Sequence, residues 1–97
     1  MVVIVYDDEA KANFRNAIGY IKKDSPQNAE KVKHEVASAI RSLLQNPQKH
    51  PLDKFRNNND GRYRAFEIHN FRISYCVDEE TIKIVRFRHI KMQPKNY

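Results

Sequence analysis

Glycine is nearly missing from this chain, with two residues in 97. A loop that cradles phosphate on backbone amides needs several glycines to bring the chain close to the anion, so that device is excluded. Cysteine occurs once, at Cys76, which rules out an internal disulfide and a cysteine-based zinc cluster. On a strand, that thiol is expected to pack. No stretch approaches the roughly 20 apolar residues of a membrane span. The opening MVVIVYDDEA runs from apolar residues straight into acids, with no cationic leader, so a cytoplasmic protein with no membrane contact is expected. Metal-ligand spacings and nucleophile elbows are missing as well, so neither a metal nor a cofactor is expected.

What is there fits a globule. Hydrophobic residues make up 40% of the 97, enough for one core and too short a chain for two, so residues 1–97 are expected to form a single domain. The formal net charge is +6. Residues 1–47 carry seven Lys/Arg against six Asp/Glu, and residues 48–97 carry eleven against six, so the excess sits in the second half. A lopsided basic domain of this size points to a polyanionic partner, either nucleic acid or an acidic protein segment.

The order of elements is readable from periodicity. Val2 to Val5 predicts a first strand, apolar enough to be buried inside a sheet. Asp7 or Asp8 can cap the helix that follows, and Ala10, Phe14, Ala17, Ile18 and Ile21 recur at helical spacing. Ser25-Pro26 restarts the backbone as N-cap and first helical residue. The second stripe is Ala29, Val32, Val36, Ile40, Leu43 and Leu44, ended by Asn46-Pro47. So short a link makes the two helices an antiparallel hairpin that lays its stripes on a sheet. Residues 47–61 are one long, turn-rich, cationic loop containing His50, Lys54 and Arg56.

The rest alternates as strands. Two runs flank His69-Asn70, where asparagine suits the left-handed backbone of a tight hairpin, and a second turn at Glu79-Glu80 returns the chain through Thr81 to His89. The expected fold is therefore α+β: an N-terminal strand, a helical hairpin and a three-stranded antiparallel meander completing one sheet on the helices. A two-residue turn sets Ile68 opposite Phe71, so Phe66, Ile68, Phe71, Ile73, Tyr75, Val77, Ile82 and Ile84 share the core face. Unbroken alternation then places Arg72 across from Phe87 with His89 on the diagonal, both away from the core, and leaves Arg64, Arg86 and Arg88 on the core face or its rim.

Among four histidines, His34 reads as a solvated helix residue, His69 as a turn residue, and His50 as a loop residue with no acidic partner close in sequence. His89 alone combines a strand end with a neighbouring arginine. Two readings of that pair stand side by side. In one, Arg72 forms an exposed pair with Glu67 across the hairpin, worth about 0–1 kcal/mol, and His89 merely ends the strand. In the other the two recognise phosphate, arginine through its planar fork and histidine as a proton shuttle in RNA cleavage, with Lys54, Arg64, Arg86 and Arg88 adding charge toward the target. A non-catalytic, basic nucleic-acid-binding module is a further reading.

Strand, helical hairpin, basic loop and meander, carried by VVIVYDDEAKANFRNAIGYI, SPQNAEKVKHEVASAIRSLLQNP, GRYRAFEIHNFRISYCVDEETIKIVRFRH and the histidine closing the last strand, resemble the RelE/ParE superfamily of type II toxin–antitoxin toxins across nearly the whole chain. The resemblance implies growth arrest, by cleaving mRNA on the ribosome in the RelE-like branch or by inhibiting DNA gyrase in the ParE-like branch. It also implies an acidic antitoxin encoded alongside, binding the exposed sheet face and the helical hairpin. Arg72 matches the arginine that RelE-like nucleases use on the scissile phosphate, and His89 the terminal-strand histidine of several of them. Nuclease relatives often supply a glutamate or several lysines from the loop before the hairpin, where this chain has His50, Asp53 and Lys54. With its long helical hairpin and the IKMQPKNY extension past His89, the chain leans toward the ParE-like branch.

Overall fold

The computed structural model describes residues 1–92 and 95–97. β1 (Val3–Tyr6) leads into α1 (Asp8–Asp24) and α2 (Pro26–Arg41), and a single 3-10 turn (Ser42–Leu44) follows. After the long loop come β2 (Tyr63–Ile68), β3 (Phe71–Val77) and β4 (Thr81–His89). The Asp7 carboxylate accepts from the amides of Glu9 and Ala10, closing the first turn of α1 next to two further acids that suit its positive end. Ser25 serves both helices. Its amide donates to the Ile21 carbonyl, and its hydroxyl accepts from the Asn28 amide at 3.1 Å, so one residue ends α1 and starts α2.

The strands form one sheet in the order β1-β4-β3-β2. β2–β3 and β3–β4 are antiparallel and β1–β4 is parallel, so the sheet is mixed. The tight turn between β2 and β3 has φ of 51° at His69 and 66° at Asn70, the left-handed pair that a two-residue hairpin demands. Against the helices lie Phe66, Phe71, Ile73, Tyr75, Ile82, Ile84 and Phe87, closed from above by Val32, Val36, Ile40 and Leu43. Phe14, Ala17, Ile18 and Ile21 of α1, together with Ile68 and Val77, pack at the margin. Full burial of each large apolar side chain stabilises by roughly 1.5–3 kcal/mol.

Two expectations about the strands need correction. The first strand is not interior: β1 is an edge, and Val3 and Val5 are 45% and 38% exposed, because only Ile4 of its valine–isoleucine run turns into the core. The second concerns β4. Alternation holds from Val77↔Ile82 through Tyr75↔Ile84, but the next pair is Ser74↔Arg86, which leaves Val85 as an extra residue in a β-bulge. A one-residue insertion moves every later side chain to the opposite face. Phe87 therefore joins the core opposite Ile73, Arg88 faces Arg72 directly, and His89 lies opposite Phe71.

Candidate functional site

The bulge decides which groups meet. Arg86 and Arg88 do not lie on the helix side. They share the far face of the sheet with Arg72, whereas His89 falls on the helix side with its ring edge-on to Phe71 at 5.5 Å. Arg72 and His89 are not neighbours on one face. His89 ends β4, so it still reaches the lip of the pocket in which the arginines gather, a cavity of about 110 Å³ lined by Lys54, Phe55, Arg72, Arg86, Arg88 and Met92 among others. Its Nδ1 accepts from the Lys91 amide at 3.1 Å. Arg64 is elsewhere altogether: its guanidinium donates to the carbonyl of His50 at 2.7 Å and ties the long loop to β2.

The far face of the sheet is not bare. Residues 51–53 run beside β2, with the Asp53 amide donating to Tyr63 and the Ala65 amide to Pro51, so the β2 edge is capped. The loop then crosses the face and meets the chain's last residues: the Asn57 amide donates to the Tyr97 carbonyl, and the Tyr97 amide to the Phe55 carbonyl. Beneath this cover Ala65, Ser74 and Cys76 are buried. Burial pushes the Cys76 thiol up, away from the reactive thiolate, which agrees with a packing role.

Asp53 is the centre of the arrangement and is 2% exposed. Its carboxylate accepts from the Arg72 guanidinium at 3.0 Å, the Phe55 amide at 3.1 Å and the Tyr97 hydroxyl at 2.5 Å. Burial alone would raise its pKa, but bonds from Tyr97, Phe55, Arg72 and Ser74 outweigh that and hold the carboxyl below its ordinary value. The Tyr97 hydroxyl is pushed up in turn, first by burial and then by its bond to that carboxylate. Arg72 also reaches Glu67 at 3.4 Å, the cross-hairpin pair expected from the sequence, and lies over the Phe55 ring at 4.9 Å. Arg86 lies over the Tyr97 ring at 4.4 Å and donates to the Lys95 carbonyl. From sequence alone Asp53 is only a loop acid, and Tyr97 and Phe55 carry no mark of a role. No periodic signal marks them, since each acts through contacts far along the chain.

The profile of the ParE toxin of the type II toxin–antitoxin system parDE matches residues 4–94. The chain belongs to the ParE toxin family. Solved structures with the same fold include the chromosomal ParDE system from P. aeruginosa, at 17% identity and a TM-score of 0.69 over 92% of this chain and 96% of that one. The YoeB dimer from Staphylococcus aureus matches at 19% identity and 0.61, covering 91% and 95%. The YoeB–YefM complex from Staphylococcus aureus matches at 17% and 0.58, covering 92% and 97%. At these identities the structural likeness bears on fold, while membership of the toxin family rests on the profile. No curated protein matches by sequence. No helix among the described residues is long and apolar enough to cross a membrane.

Proposed function

We propose that this ParE-family toxin arrests growth by binding DNA gyrase as a protein inhibitor and not by cutting RNA. One observation carries the preference: the Arg72 guanidinium is held by a buried carboxylate, and His89 projects from the other side of β4. Phosphoryl chemistry needs an unneutralised cation and a proton-transfer group converging on one phosphate. Here Asp53 offsets the charge of Arg72, and the histidine stands on the opposite face of β4. Purified gyrase supercoiling relaxed plasmid tests the reading: micromolar protein is expected to abolish supercoiling, and full activity at that excess would overturn it.

The RelE-like nuclease is the second reading. It is favoured by the gathering of Lys54, Arg72, Arg86 and Arg88 in one pocket with His89 at its lip. It predicts transcript cleavage on ribosomes that Arg72→Ala and His89→Gln abolish. Intact transcripts from cells arrested by the parent protein would remove it.

Either way an acidic antitoxin is the proposed partner, in keeping with the toxin–antitoxin assemblies among the fold relatives. Because the loop and the terminal residues cover much of the far sheet face, the better seat is the groove of about 700 Å³ between the helical hairpin and the end of the sheet. Its walls include Ala17, Ile21, Val32, Phe71 and Phe87, an apolar floor for an amphipathic segment that folds as it binds.

A further inference from the structure

Arg72 and Arg88 are directly opposed across β3 and β4, and Arg86 is two residues along β4 on the same face. Like charges in that position destabilise a sheet. The crowding shows in Arg86, whose pKa is lowered by burial first and by Arg88 next, partly offset by Tyr97 and Asp53, with Arg72 adding the least. Among the described residues Asp53 is the one buried carboxylate set against these three guanidiniums; it bonds Arg72, which also reaches the exposed Glu67. The Nε groups of Arg72 and Arg88 are buried and have no acceptor among the described residues. Clustered cations with unused donors beside a small cavity form an arrangement that a multivalent anion would complete.

The chain's last residues hold the Arg86 and Asp53 side of that arrangement. Tyr97 covers Arg86 with its ring, bonds Asp53 with its hydroxyl and pairs its backbone with Phe55 and Asn57, and the Lys95 carbonyl accepts a hydrogen bond from Arg86. Phe55, held by that backbone pairing, covers Arg72. We propose that residues 95–97 are an autoinhibitory clasp over an anion site formed by Arg72, Arg86, Arg88 and Lys54, which binds phosphate groups when the clasp is displaced. The clasp substitutes for the ligand: a carbonyl and an aromatic face occupy Arg86, and the Tyr97 hydroxyl holds Asp53 in place against Arg72. The inference is independent of whether gyrase is the toxin's target.

A phosphate of this kind is carried by a small free anion or by a nucleic-acid backbone, and the two probes are inorganic pyrophosphate and a short single-stranded oligonucleotide. Each is titrated into the full-length parent, into Tyr97→Phe and into Tyr97→Phe/Arg86→Gln, and binding is followed through arginine Nε–H and backbone amide resonances. Loss of the hydroxyl is expected to tighten binding by about tenfold over the parent, and the second substitution to remove the gain. Tightening with pyrophosphate alone assigns a small-anion site, and tightening with the oligonucleotide that fades steeply with salt assigns a backbone-binding one. Equal affinity of parent and Tyr97→Phe, a gain that survives Arg86→Gln, or no binding by any of the three overturns the proposal. Should Tyr97→Phe fail to fold, the parent decides: saturating ligand must speed hydrogen exchange at the amides of Asn57 and Tyr97, and unchanged or slower exchange refutes the clasp.

Discussion

The two faces of this sheet are held by different physics. Toward the helices, Ile73, Tyr75, Ile82 and Ile84 are almost wholly removed from water in an apolar layer that answers to volume and shape. On the other face a loop and the last residues are pinned over three arginines through one buried aspartate, so that cover answers to proton and charge. Acid and salt should therefore loosen one side of the sheet while leaving the other packed.

Four changes would break or sharpen that contrast. Inserting one alanine between Arg86 and Phe87 shifts the phase of β4 again and turns Phe87 outward and Arg88 toward the core, a cost beyond the roughly 5–15 kcal/mol that holds a domain of this kind together. No cooperative thermal transition is expected, and a native-like melting curve would show that the phase of β4 is set elsewhere. Ile73→Ala, at a site with no exposure, should cost about 3–4 kcal/mol in urea unfolding, nearly unchanged between about pH 7 and pH 4. Asp53→Asn should cost about 2–3 kcal/mol near pH 7, because it leaves Arg72 without its buried counter-charge. The folded pKa of Asp53 is depressed, so the stability it confers is fully present above the ordinary aspartate value of about 3.9 and is lost as pH falls through the folded one. Parent and variant should thus converge in acid, and a gap that stays constant with pH would contradict the assignment. Glu35→Gln, which breaks the partly exposed contact with His69 at 2.6 Å, should change stability by less than about 1 kcal/mol.

Much of the fold was legible because local chemistry and periodicity agreed. Asp7, the Ser25-Pro26 step, the helical stripes and the left-handed His69-Asn70 turn each determine structure within a few residues, and all appear where the sequence places them. Leu44 is the exception on the second stripe: it is 46% exposed, since the chain has passed into a 3-10 turn by then. The register of β2 against β3 was also legible, down to Glu67 opposite Arg72. What the pattern could not disclose was a bulge. Val85 carries no glycine or proline to mark it, and one unpaired residue moved Arg86, Arg88 and His89 to the faces opposite those that strict alternation assigns. Neither could it disclose Asp53 and Tyr97, which lie 44 positions apart and meet only once the loop has crossed the sheet. The strongest organising contact of the basic face was therefore the least local one.

The uncapped margin at β1 has a practical corollary. Nature usually guards the rim of a sheet with lysine, proline or a twist, but here the outermost strand offers Val3 and Val5 to solvent, with Val2 just ahead of it and no charge among them. Such a rim templates stacking of one molecule on the next, so concentrated solutions of the isolated polypeptide should turn turbid sooner than its charge of +6 would suggest. A lysine in place of Val3 would be the natural way to keep the material clear for the measurements above.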